Sequence, residues 1–357
     1  METIDIGDLI PGLPEELALD CVAKLHFASL PAAVGVCRRW RELFRTHQFY
    51  KLRKSLRYMR RLACLVQADV PAGVPSEKVK ISPSYGVVVF DHVNGISHRL
   101  KPVPKYPDGL PLFCQIASTE GRIVVMGGWD PITYDVVRDV FIYDFVTGNW
   151  KEGTPMPTKR SFYAIGSGSS GKVYVAGGHD ENKCALSSAW VYDVNCDKWT
   201  PLSPMCKERD ECEGLVAVGD DGKEDFWVVS GYGTENQGSF GGDAEVYDAV
   251  TGKWRVVEGA WKERRCPRGS VGMVGGQLVC WRDIPGQEGV RIGTNGAAIG
   301  NNRVLVTGSE LQGGRNGFYL VDLNEGQMQR IAAEDKFCGV VQCSSAASSF
   351  LHLDKQR

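Results

Sequence analysis

Gly171–Asp180 reads GKVYVAGGHD and Val191–Trp199 reads VYDVNCDKW. The first run alternates apolar and polar side chains and stops at two glycines. The second ends its alternation in Tyr-Asp, turns and reaches a tryptophan. Such alternation marks half-buried strands. The same grammar recurs as GRIVVMGGWD and VFIYDFVTGNW within Gly121–Trp150, and as DFWVVSGYG and AEVYDAVTGKW within Asp225–Trp254. The Tyr-Asp pairs at 143/144, 192/193 and 247/248 are 49 and 55 residues apart, and the tryptophans at 150, 199 and 254 keep the same intervals. A period near 50 is the signature of a repeat array.

Each unit supplies four short strands and cannot bury both faces of its sheet alone, so neighbouring sheets must stack, and radial closure protects their edges. Gly-Gly at 127/128 and 177/178 ends a strand where no side chain fits, and the period-locked Tyr and Trp are expected between blades. This Gly-Gly, Tyr-Asp, Trp pattern resembles the kelch repeat, which implies an all-β propeller. Weaker copies flank the clear ones: Tyr85–Pro104 with Phe90-Asp91, Gly272–Asp283, and Asn301–Gly326. Leu62–Leu353 spans 292 residues, which at ~50 per blade gives six blades, with five as the alternative. The C-terminal strand-like residues are expected to complete the blade begun at Leu62.

Residues 1–61 are poor in glycine and patterned as helices. Leu13-Pro14-Glu15-Glu16 suits a helix start, with proline in the first turn and acids against the positive end of the dipole. Leu17, Cys21, Val22 and Leu25 then form one apolar stripe. The runs Leu13-Pro14-Glu15-Glu16-Leu17 and Val36-Cys37-Arg38-Arg39-Trp40-Arg41 resemble an F-box. That resemblance implies docking on a Skp1-like subunit of a cullin–RING ubiquitin ligase through Leu13, Pro14, Leu17, Val22, Leu25, Leu30 and Trp40. The expected organisation is therefore a small all-α F-box over 1–50, a basic helical linker over 51–61 and a kelch-type propeller over 62–357.

Residues 38–61 carry ten Lys/Arg against one acid, Glu42. A nuclear-localisation or nucleic-acid patch is one reading of that run. The interleaved apolar stripe and scarcity of aromatics favour a solvated helix face joining two domains. The net charge of −2 gives no general pull toward nucleic acid or anionic membrane. No apolar run is long enough to span a membrane, and METIDIGD lacks a signal-peptide layout. The twelve cysteines form no dense framework; Cys21, Cys37, Cys64 and Cys280 fall in apolar patterns that suit buried reduced thiols, so cytosol or nucleus is expected.

The six histidines at 26, 47, 92, 98, 179 and 352 show no zinc-site spacing, and no phosphate-binding loop or nucleophile elbow occurs in a suitable context. No cofactor or catalytic role is expected. In an up-and-down blade the loops after the second and fourth strands open on one side. That face is expected to gather a substrate-binding rim from Trp129, Asp130, Arg160, His179, Asp180, Arg209, Tyr232 and Arg265, residue types common at interface hot spots. F-box and kelch together resemble the large plant kelch F-box group. The resemblance implies a non-catalytic substrate adaptor, some of whose kin direct degradation of phenylalanine ammonia-lyase and others of cytokinin-response regulators; the alternative is a kelch scaffold that binds partners without ubiquitination.

Overall fold

The computed structural model describes residues 8–70, 83–168, 170–219, 222–283, 290, 292–311 and 314–349. Four short helices come first: α1 (Glu15–Ala23), α2 (Leu30–Val34), α3 (Arg38–Leu43) and α4 (His47–Ser55). Cys37 is exposed because it caps α3, its sulfur accepting from the Trp40 N–H at 3.4 Å, and Thr46 caps α4 the same way from Phe49. Cys21 is also exposed and Cys280 half-buried; of the four thiols expected inside, Cys64 is buried. The basic run is not simply solvated. Arg53 is fully buried and donates to the Ala23 and Leu25 carbonyls at 2.8 and 3.0 Å, tying α4 to the end of α1.

Strand structure begins at β1 (Arg60–Ala68), β2 (Tyr85–Asp91) and β3 (Ile96–Arg99). Blade 2 follows as β4 (Gln115–Thr119), β5 (Arg122–Met126), β6 (Val140–Asp144) and β7 (Asn149–Gly153). Blade 3 is β8 (Ala164–Ser167), β9 (Lys172–Ala176), β10 (Ala189–Asp193) and β11 (Lys198–Pro201); blade 4 is β12 (Glu213–Val218), β13 (Glu224–Val229), β14 (Ala244–Asp248) and β15 (Lys253–Val257). A two-stranded hairpin, β16 (Val271–Val274) and β17 (Gln277–Cys280), precedes blade 5, which is β18 (Ile292–Gly300), β19 (Arg303–Ser309), β20 (Gly317–Asp322) and β21 (Gln327–Ile331). The last strand, β22 (Val341–Ser349), pairs with β1 and becomes the innermost strand of blade 1 in the order β22-β1-β2-β3. The expected closure by the C-terminal strand is present.

The count of six full blades is corrected to five four-stranded blades, the alternative above. Among the described residues the interval after blade 4 holds the hairpin and, in place of outer strands, Trp281. Its ring is 1% exposed and lies against Gly272 of β16 and Gly296 of β18, where a Cβ on either glycine would overlap the indole. That is why the spacing from Asp248 to Asp322 fits neither one period nor two.

The repeat signature is structural chemistry. Asp144, Asp193, Asp248 and Asp322 each accept two backbone N–H groups from the next turn, for example Val146 and Thr147 at 2.8 and 3.3 Å. Tyr143, Tyr192 and Tyr247 pack on Trp150, Trp199 and Trp254 with ring centroids 4.9–5.2 Å apart. Each indole N–H donates to the carbonyl of a preceding inter-blade segment, at Lys101, Thr154 and Ser203. Gly128 and Gly178 sit at φ +96° and +80°, and a Cβ there would strike the carbonyls of Leu112 and Ser161.

The helical domain is packed onto blade 2. Val146, in the turn after β6, is buried in the helices' own apolar core with Val22, Leu30, Phe44 and Phe49. His47 Nε2 lies 2.6 Å from Asp144 Oδ2, and Tyr50 covers Gly121. These turns lie at the end of the propeller opposite the loops that follow the second and fourth strands. Innermost strands from every sheet surround a central channel of about 510 Å³, with Tyr50, Lys54 and Arg61 at one end and Arg268 at the other.

Candidate functional site

On the face away from the helices, the loops after second and fourth strands are stitched together by isolated bridges: Leu112 with Trp129, Ser161 with His179, and Asp210 with Tyr232. The expected sorting of these loops onto one rim therefore holds, but the fate of the individual residues differs. Arg160 is buried, spending its guanidinium on Gly177 and Ser188 carbonyls and on Thr158 and Ser188 hydroxyls. With neutral partners only, burial pushes it down to about 10. Arg209, 49 residues on, is equally buried but lies 2.5 Å from Asp243 and 3.2 Å from Glu245; burial pulls its pKa down, and those carboxylates outweigh it and raise it. Both arginines brace loops and are removed from the binding rim.

His179 is mostly buried, its Nδ1 2.8 Å from Asp210 Oδ2 and its ring stacked on Phe162. Tyr232 is also buried, and burial together with Asp210 and Glu211 pushes its hydroxyl up. Asp130 and Asp180 are half-buried and fold back on backbone N–H groups of their own loops. Those amides hold the Asp130 carboxyl below the usual range. Arg265 is exposed and paired with Glu263. Of the expected rim, Trp129 reaches the mouth: half-buried, its indole N–H donates to Ser161 Oγ at 2.6 Å.

Trp129 belongs to an aromatic cluster whose other members the sequence reading missed. Phe113 and Phe162 lie 5.1 Å apart and 5.3 and 6.1 Å from Trp129, joining two blades across the mouth. Both sit in the left-handed region, φ +58° and +53°, as does Glu211 at +49°. All three stand two residues before an innermost strand. A phenylalanine in that conformation costs of order 1–3 kcal/mol and persists where its surroundings hold it. The readable signal was Phe-Cys at 113 and Phe-Tyr at 162, again 49 residues apart. Outward from them, Ile132 and Tyr134 are 84% and 54% exposed. Arg268 reaches in from the loop before the hairpin, its Cζ 5.2 Å from the Phe162 centroid.

Below the mouth, Glu213 accepts the Gly269 N–H at 2.6 Å. Burial raises its pKa despite Arg268 nearby. A raised carboxyl contributes stability below its unfolded pKa and loses it as pH climbs through the folded one. Glu213→Gln keeps an acceptor for Gly269 and removes the charge. Thermal melts are expected to show the variant above the parent at pH 7, with the gap closing by about pH 4.

On the helical domain, the seven expected docking residues divide. Val22 and Leu30 are core; Leu13, Leu25 and Trp40 are half-buried, with the Trp40 indole donating to Leu9 O at 2.7 Å. Pro14 is exposed, and Leu17 is exposed to 56%. Val36, at 62%, joins them although it is not one of the seven. Exposed aliphatic side chains on so small a bundle form an unpartnered face. Among the described residues no cluster of His, Cys, Asp or Glu could hold a metal ion.

The F-box domain profile matches residues 10–52, and the kelch motif profile matches 112–157 and 168–205. Two Arabidopsis thaliana F-box/kelch-repeat proteins are similar. SKIP20 is 40% identical over 289 residues, covering 71% of this chain and 68% of its own; another is 42% identical over 249 residues, covering 69% and 68%.

Proposed function

The chain belongs to the F-box/kelch-repeat proteins, and from that membership we propose that it presents a protein target, held at the aromatic mouth, to a cullin-based ubiquitin ligase. An F-box with a kelch propeller makes an SCF substrate adaptor: the F-box binds Skp1 and the propeller binds protein. The observation that supports the target-side reading is the cluster Phe113, Trp129 and Phe162 at one end of the propeller, with the F-box packed against the turns at the other. Partner and target then do not compete for surface. Aromatic anchors in a desolvated setting are the side chains that dominate interface energetics. The chain itself contributes proximity: tethering raises the effective concentration of target at the ligase, and bond formation falls to its partners. The family resemblance supplies two candidate targets, phenylalanine ammonia-lyase and a cytokinin-response regulator, and the free thiols suit cytosol or nucleus as the compartment.

The test is co-purification with a Skp1-like protein and each candidate target. Leu17→Asp with Val36→Asp is expected to weaken Skp1 capture by a hundredfold or more, since two charges would be buried without partners, and to leave target capture intact. Trp129→Ala with Phe162→Ala is expected to do the reverse. Undiminished Skp1 capture by the first variant sinks the docking assignment, and undiminished target capture by the second sinks the rim.

A further inference from the structure

We propose that Arg268 receives a single carboxylate from the bound target segment, so that the mouth selects an acidic residue next to an apolar one. This rests on the aromatic face being the target-binding face and adds the chemistry it reads. Arg268 lines the central channel at its mouth. Its Nη1 makes two long contacts, 3.3 Å to the Tyr163 carbonyl and 3.4 Å to that of Cys212. Among the described residues the guanidinium forms no ion pair, and Nε and Nη2 have no acceptor. The contrast with its neighbours is the point: Arg160 commits its donors to loop carbonyls and hydroxyls, and Arg209 to Asp243, Glu245 and the Ser230 carbonyl. A guanidinium lying on an aromatic ring is held in plane and presents a fork that matches a carboxylate.

The surroundings define the rest of the ligand. The loop leading to Arg268 adds Lys262 and Arg264, both exposed, while Arg265 is paired with Glu263, so an incoming acid meets net positive charge. Phe162, Phe113 and Trp129 adjoin on one side and offer an apolar residue its seat. On the other side Glu213 lines the channel wall. Its charge opposes a second acid, so the fit is to one carboxylate beside an aliphatic or aromatic side chain, and not to a polyacidic run.

The test pans a phage-displayed random dodecapeptide library on the full chain in complex with its Skp1-like partner, then measures synthetic enriched peptides by fluorescence polarisation. Enriched sequences are expected to carry an Asp or Glu beside an apolar residue. Arg268→Gln, or the peptide's own acid changed to its amide, should each weaken binding about tenfold or more, and the two changes together little further. Peptides that lose binding to Trp129→Ala with Phe162→Ala, yet need no acid and tolerate Arg268→Gln, overturn the carboxylate and leave the target face standing. Peptides indifferent to the aromatic variants, or a panning that enriches nothing, overturn both. Should Arg268→Gln fail to fold, the peptide-side substitution decides alone.

Discussion

Trp281→Ala is expected to lower stability by about 3–5 kcal/mol, the range for emptying a buried large aromatic site. The indole stands where outer strands of a sixth blade would, held between Gly272 and Gly296 on two innermost strands. Glycine backbone walls two sides of the slot, and the aliphatic side chains that share its cluster, Val290, Val304, Val306 and Val321, are too short to fill the vacated space. Urea unfolding followed by tryptophan fluorescence and circular dichroism gives the number; a loss below about 1 kcal/mol would show that the ring closes without its wedge. Gly272→Ala is expected to be damaging from the opposite side, by overpacking of about 1–3 kcal/mol.

Arg209→Met is expected to be comparably severe, about 3–5 kcal/mol, because it takes the buried cation from two buried carboxylates and leaves Asp243 to Lys207 and Glu245 to the Cys206 and Lys207 amides. Glu245 is fully buried and Asp243 nearly so, and both have the guanidinium as partner. The pH dependence separates this cause from lost packing. Burial pushes the Asp243 carboxyl up, but the hydrogen bond and charge of Arg209, with help from Lys207, outweigh it and hold it below the usual range. A depressed carboxyl stabilises the fold above its unfolded pKa, about 3.9, and that contribution is lost as pH falls through the folded value. The parent should therefore weaken below about pH 4, and Arg209→Met should show a flatter or reversed slope. Urea midpoints from pH 3 to 7 make the comparison. Parallel slopes would mean that shape, and not charge, explains the loss.

The parts that repeat were readable, and the parts that break the repeat were not. Tyr192, Trp199 and Asp193 announced strands, turns and inter-blade packing because each recurs at the period. The same logic should have warned against Arg160 and Arg209: two arginines 49 residues apart in equivalent loops do the work of the scaffold, and charge alone does not separate a solvated guanidinium from one satisfying carbonyls at a crossing. Arg268 departs from that register, and among the described residues its guanidinium, unlike those of Arg160 and Arg209, forms only two long contacts. Trp281 was invisible because its slot is defined by glycines on β16 and β18, strands of two different sheets that meet only in the fold. Val22 and Leu30 are among the expected docking residues yet are interior, since a bundle this small needs most of its aliphatic side chains for its own core.

The pairing of β1 with β22 sets an order on biosynthesis. About 280 residues separate the two strands, and at roughly 5–20 residues per second the ribosome needs about 15–60 s to cross that interval. Throughout it β1, a nine-residue strand buried over most of its length in the finished fold, offers an open hydrogen-bonding edge of the kind that recruits foreign strands. The helical domain ahead of it contains Leu17 and Val36 and is complete in sequence before β1 emerges. The docking half of the adaptor can thus be competent while the receptor half is still an open ring. Truncation before Val341 is accordingly expected to yield a dominant-interfering product: a chain that occupies the ligase and presents nothing to it.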